Sequence, residues 1–173
     1  MTILDRLLGH DAWTTRQLLL RCRELSDEQL DRVFDIGDRS LRDTFVHMIE
    51  CMELHIDSMM GRPERLLANT YEIDGWLQRS SLVSKELMDL GSRVEREGIA
   101  DQFYTGFSGT QRTLGAGICH LITHSMHHRA QAMYIMEKLG VGNVIEGDAM
   151  GWESVARGWG WEDGGSSGAM VAG

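Results

Sequence analysis

The sequence predicts an all-α protein, a four-helix bundle with a long connection between its second and third helices and a short C-terminal helix. Three observations carry that expectation. Four long stretches place apolar side chains at helical spacing. The chain has a single proline and eleven methionines, which suits a mostly helical protein. Aromatic residues make up only 7%, and no series of alternating β-branched runs appears, which argues against an all-β fold.

The elements follow in order. Residues 2–25 form the first helix, with Ile3, Leu7, Leu8, Trp13, Leu18, Leu19 and Leu20 at helical spacing. Ser26 opens SDEQL with Gln29 at the capping-box position, so a short helical turn comes next. Gly37 breaks the chain, and Ser40 caps the second long helix, SLRDTFVHMIECMELHIDSMMG, which stops at Gly61. Residues 62–73 contain the only proline, Pro63, and read as a loop long enough for a crossover. The third helix covers about 75–97 and stops near Gly98. QFYTGFSGT, 102–110, is a turn-rich connection, extended at its start. The fourth helix runs from Gln111 to Leu139, with Gly140 as its stop, and GWESVARG adds a short helix after the loop VGNVIEGDA. The long helices are expected to pack in an antiparallel manner. Residues 1–160 make one bundle domain, and 161–173, rich in Gly and Ser, a flexible tail.

Composition removes several functional classes. The formal net charge of −9 repels phosphate backbones, and Lys and Arg form no basic patch, so no nucleic-acid partner is expected. No apolar run approaches the ~20 residues that span a bilayer, and the start, MTILDRLLGHDAW, is too polar for a secretory or transit segment. No membrane partner is expected, and the cytoplasm is the default location. Cys22, Cys51 and Cys119 are far apart and form no CxxC, so each is expected as a small buried apolar residue.

The chemistry is concentrated in HLITHSMHHRAQ, residues 120–131, where four of seven histidines fall within nine positions. With His120 at zero and ~100° per residue, His124 falls at about 40°, His128 at about 80° and His127 at about −20°. The apolar residues of this helix fill an arc from about 60° to 240°. His128 thus lies inside the apolar edge and His124 just outside it, while His120 and His127 point further toward solvent. His124 and His128, at i and i+4, are the pair best placed to share one divalent ion. Ser125 stands where an HExxH motif has its Glu, so a zincin mechanism is not indicated. A third ligand must come from another helix. The second helix offers His47 and His55, with Cys51 between them, and the wheel places His55 nearer the apolar stripe; periodicity does not choose between them. Taken as structural, His55 is a core-edge histidine with a hydrogen-bonded nitrogen. Arg129 projects near the middle of the apolar arc and needs an anionic or carbonyl partner, either as a structural ion pair or as an anchor for a substrate carboxylate.

Three stretches carry a family likeness: LLGHDAWTTRQLLLRCRELSDEQL, SLRDTFVHMIECMELHIDSMMG and THSMHHRAQ. In their order and spacing, over about residues 3–150, the chain resembles the DinB/YfiT-like four-helix-bundle proteins, which hold a divalent metal with three histidines. The second stretch resembles the family motif in which a histidine follows a Leu-Arg start, here His47. The third resembles an NHxxHHRGQ signature whose ligand histidines fall on His124 and His128. Thr123 replaces a common Asn and Ala130 a common Gly, neither at a ligand position. The resemblance implies the metal set His47, His124 and His128, with zinc or nickel as the ion and manganese or iron as alternatives. It also implies open coordination positions, a low-molecular-weight thiol or other small molecule as partner, and a homodimer. Relatives include transferases and isomerases that use mycothiol, bacillithiol or glutathione. The implied activity is a metal-dependent thiol S-transferase or hydrolase, in which the metal activates a thiol or water. The alternative is a non-catalytic metal- or small-ligand-binding stress-response bundle acting as a dimer. An open pocket at the ion would favour the enzyme, a closed and fully ligated site the alternative.

Overall fold

The computed structural model of the chain describes residues 1–67, 72–145 and 147–159; the tail expected at 161–173 lies outside them. The helices are α1 (Ile3–Cys22), α2 (Asp27–Asp31), α3 (Leu41–Met59), α4 (Ile73–Glu97), α5 (Leu114–Lys138) and α6 (Ala149–Ala156), with a hairpin of β1 (Phe103–Thr105) and β2 (Gln111–Thr113) before α5. The bundle consists of α1, α3, α4 and α5.

Local chemistry sets the boundaries. Thr2, Ser26 and Ser40 each accept the backbone N–H three residues on, and Asp5, Gln29 and Asp43 close reciprocal capping boxes. Each such cap contributes about 1 kcal/mol. Gly98 ends α4 at φ 64°, where a Cβ would be strained. The fourth long helix begins later than the sequence suggests. Gln111 and Arg112 pair with Thr105 and Tyr104 as strand, and Thr113, still extended, caps α5 through the Ala116 N–H. The helix starts where a side chain is able to satisfy its first free N–H groups, not where helical periodicity first becomes legible.

Long-range pairs give the helix directions. Arg23 meets Asp74 and Thr2 meets Glu95, so α1 and α4 are antiparallel. Arg42 lies over Trp76 and Arg79 binds Glu53, so α3 and α4 are parallel. The antiparallel expectation therefore fails for this pair, because α4 starts at the end of the bundle where α3 also starts. The chain just after α3 is pinned by Asp57, 1% exposed, which binds Arg62 and Arg65; both arginines also reach Glu86 of α4.

The core is divided along the axis. One apolar cluster gathers Leu18, Leu19, Phe45, Met48, Trp76, Ile135 and Met136; the other gathers Leu8, Met52, Ile56, Leu87, Leu90, Ile118 and Leu121. Each fully buried side chain of this size contributes about 1.5–3 kcal/mol. On three of the bundle helices polar residues separate the two clusters: Asp11 and Thr15 on α1, Arg79 and Ser80 on α4, and Ser125 and Arg129 on α5. No helix among the described residues is long and apolar enough to cross a membrane.

Candidate metal centre

Two helix faces build the site. On α3, His47, Cys51 and His55 recur at i, i+4 and i+8; on α5, so do His120, His124 and His128. Residues at this spacing stack on one face of a helix. The two faces meet in antiparallel fashion. The His47 ring lies 5.1 Å from that of His124 and 4.8 Å from that of His128, while His55 lies 5.1 Å from His120.

His47, His124 and His128 converge. Nε2 of His124 is 3.2 Å from Nε2 of His47 and 3.2 Å from Nε2 of His128, and one ring nitrogen from each residue lies within 4.8 Å of the others. Nitrogens 3.2 Å apart, each about 2.1 Å from a shared ion, subtend about 100° at it, between the octahedral and tetrahedral angles. The proton inventory fits the same reading. Nδ1–H of His128 donates to Oε1 of Gln131 at 2.7 Å, which leaves its Nε2 as a lone pair facing His124. A neutral imidazole carries one proton, so a shared cation satisfies all three facing nitrogens at once, whereas one proton serves a single pair. The three residues could therefore hold a metal ion.

Electrostatics keep these rings neutral and ligand-competent. Burial, then the neighbouring His128, His47, His120 and His55, pushes His124 down to about 4. Burial also lowers His47, assisted by Arg39 and His128. His128 is lowered by burial against the opposing Gln131 hydrogen bond, with further lowering by His127 and Arg39.

Other singled-out residues take different places. His127 is exposed on α5 and Ser125 is fully buried, its hydroxyl donating to Sδ of Met52 at 3.8 Å in the core. Arg129 and Asp11, each 3% exposed, form a buried ion pair between α5 and α1, supported by Thr15; Arg129 is thus a structural cation rather than a substrate anchor. His55 departs from its structural reading, since its Nδ1 is buried with no hydrogen-bond partner among the described residues. Of the cysteines, Cys22 is buried as expected, but Cys51 is half-buried and Cys119 exposed. Cys119 lies one step, ~100°, from His120, just outside the far edge of the apolar arc.

Beside the histidine faces opens a cleft of about 370 Å³, within the range of small-molecule sites. His55 and His120 form its helical wall, with Tyr104, Phe107 and Arg112 from the hairpin region opposite. The His120 ring is 5.3 Å from that of His124, so the cleft adjoins the triad. Sequence reasoning missed Gln131 as the orienting partner of His128, although an amide three residues past a ligand histidine is a readable signal. It also missed Gly37, where a Cβ would come within 3.1 Å of the Gln131 amide nitrogen; that contact joins residues 94 positions apart and leaves no local trace.

The DinB family model matches residues 1–148. The crystal structure of a DinB-like protein from Bacillus cereus ATCC 10987 is similar with a TM-score of 0.58 and 17% identity, covering 76% of this chain and 87% of that one. A protein assigned to the DinB family from Exiguobacterium sibiricum 255-15 is similar with a TM-score of 0.62 and 20% identity, covering 86% of this chain and 99% of that one. At these identities the likeness speaks for the fold. No curated protein matches the chain.

Proposed function

The chain belongs to the DinB family, and from that premise we propose that His47, His124 and His128 hold a divalent metal ion with positions open to a small molecule. The observation that carries this reading is the facing set of Nε2 atoms at 3.2 Å, with the Nδ1 proton of His128 committed to Gln131. An all-imidazole set suits zinc or nickel, with manganese or iron as alternatives. Bound there, such an ion would lower the pKa of a thiol or water at an open position to near neutrality.

The protein's own residues then bind and orient. The triad holds the ion from two helices, and Gln131 fixes the tautomer and ring plane of His128. The adjoining cleft accepts a small substrate or low-molecular-weight thiol, with Arg112 at its rim available to an anionic group. An open cleft beside the ligands favours a metal-dependent thiol S-transferase or hydrolase over a closed structural site. The domain is proposed to span residues 1–160, since the short helix α6 packs its Trp152 onto Gly9 of α1. A homodimer and a cytoplasmic setting belong to the same proposal.

Metal analysis tests the first step. His47→Ala, His124→Ala and His128→Ala should each lower zinc affinity sharply, and His127→Ala should leave it within error; unchanged stoichiometry and affinity in His124→Ala refutes the triad. The metal-loaded protein should then be assayed with a panel of thiols and electrophiles. Turnover that His124→Ala abolishes supports the enzyme, and metal binding without turnover across the panel favours the non-catalytic bundle. Light scattering of the full chain at assay concentration reads the dimer.

A further inference from the structure

We infer that Cys51, His55 and His120 form a second metal site, one that takes a thiophilic divalent ion such as zinc beside the three-histidine centre. One ligand atom from each residue lies within 4.8 Å of the others. A tetrahedral zinc asks for N···N of about 3.3 Å and N···S of about 3.6 Å, distances that rotation of exposed His120 and half-buried Cys51 is able to reach. The two sets are built alike. On α3, Cys51 and His55 continue the face begun by His47, and on α5, His120 continues that of His124 and His128, so the second set lies about six residues, ~9 Å, from the first along the bundle.

Three further observations point to a ligand here. The buried Nδ1 of His55 has no hydrogen-bond partner among the described residues, an expense that a metal bond or a bound group would remove. The His55 ring is held edge-on at 5.0 Å by Phe107, so its direction is set by packing. The cleft of about 370 Å³ opens on His55 and His120, and this leaves a fourth position facing the space where a small molecule enters.

The donor set differs from its neighbour's in chemistry. A thiolate with two imidazoles selects zinc over magnesium, calcium or manganese, whose hard character suits oxygen donors. Cys51 is also the only residue of the six able to bring negative charge. On binding, its S–H proton leaves to solvent and the thiolate donates its electron pair to the ion. The bound unit then carries one positive charge rather than two, which reduces repulsion with a dication ~9 Å away.

The test uses the full chain, reduced and stripped of metal, titrated with Zn²⁺ and separately with Co²⁺. The wild type should take two equivalents of zinc, and its cobalt form should show a near-ultraviolet thiolate-to-cobalt charge-transfer band. Cys51→Ser should abolish the band and one equivalent. His120→Ala, which changes only an exposed side chain, should also remove one equivalent and guards against a folding defect in the cysteine variant. The double variant His47→Ala/His124→Ala should keep the band and one equivalent. One equivalent in the wild type without a thiolate band overturns the inference, as does a band that survives Cys51→Ser. One equivalent with a band that the double variant retains supports this site and refutes the triad, so the two readings fail separately.

Discussion

Gln131→Leu isolates what orientation contributes to the metal centre. The Nδ1–H of His128 donates to Oε1 of Gln131 at 2.7 Å, and the amide is backed by Gly37, at φ 73°, where an added Cβ would come within 3.1 Å of the amide nitrogen. Leucine keeps much of the volume but removes the acceptor, leaving the imidazole free to flip or to place its proton on Nε2, the nitrogen facing His124. A neutral hydrogen bond contributes about 0.5–1.5 kcal/mol and a charge-assisted one about 1.5–3. A metal-polarised imidazole falls toward the upper range. Loss of a partner outside the ligand sphere typically lowers metal affinity 10–100-fold, or about 1.4–2.7 kcal/mol, which agrees. The assay is competition for zinc against a chromophoric chelator at fixed pH, with circular dichroism to confirm an unchanged fold. Gln131→Glu retains an acceptor and should bind within about threefold of wild type, or tighter, by the same principle of outer-sphere support. Zinc affinity of Gln131→Leu within twofold of wild type would refute the orienting role, and so would an equal loss in Gln131→Glu.

Three other perturbations probe the frame that carries the site. Asp11→Ala strands the Arg129 guanidinium in the core, where both partners are 3% exposed, and should cost about 3–5 kcal/mol in urea unfolding, or roughly 6–20 °C in Tm. Asp11→Leu with Arg129→Met should recover more than half of that, and a loss below about 1 kcal/mol in the single variant would exclude an essential pair. At Gly9 an added Cβ would overlap the rigid Trp152 ring, so Gly9→Ala should displace α6, red-shift tryptophan emission and cost about 1–3 kcal/mol; unchanged emission contradicts the packing. Burial pushes the Asp57 carboxyl up, but hydrogen bonds from Arg65 and Arg62 outweigh it and hold the group down at about 2, against 3.8 ordinarily. Its contribution of about 2 kcal/mol is present above pH 3.8 and lost as pH falls toward 2, so Asp57→Asn should flatten acid unfolding in that window; an unaltered acid limb counts against it.

The helices were legible because their signals are local. Ser26 with Gln29, Ser40 at the head of α3 and the glycines after α4 and α5 are read within four residues, and the structure places helix ends beside them. The helical wheel also gave the burial order on α5, with His128 buried, His124 intermediate and His120 and His127 exposed. It left His47 and His55 open, since the choice depends on how far α5 slides along α3. Family resemblance chose His47, and in the structure His47 faces His124 and His128 while His55 faces His120. The partner of Arg129 was invisible for a similar reason, because Asp11 is 118 positions away. The strand at Gln111–Thr113 escaped notice because periodicity runs through it, whereas its pairing with β1 depends on the turn between them.

The pairing of α3 with α5 bears on how the molecule is made. His47 and His124 are 77 positions apart, and closing a loop of that length costs about 4 kcal/mol in chain entropy. Nothing in α1, α3 or α4 alone supplies the facing nitrogens, so the nascent chain exposes isolated histidines until its last long helix is synthesised and docks. Any ion shared across these helices is captured late, after hydrophobic burial has met most of the closure cost, and it then acts as a removable clasp between distant parts of the chain. A chelator should consequently accelerate unfolding far more than it retards refolding.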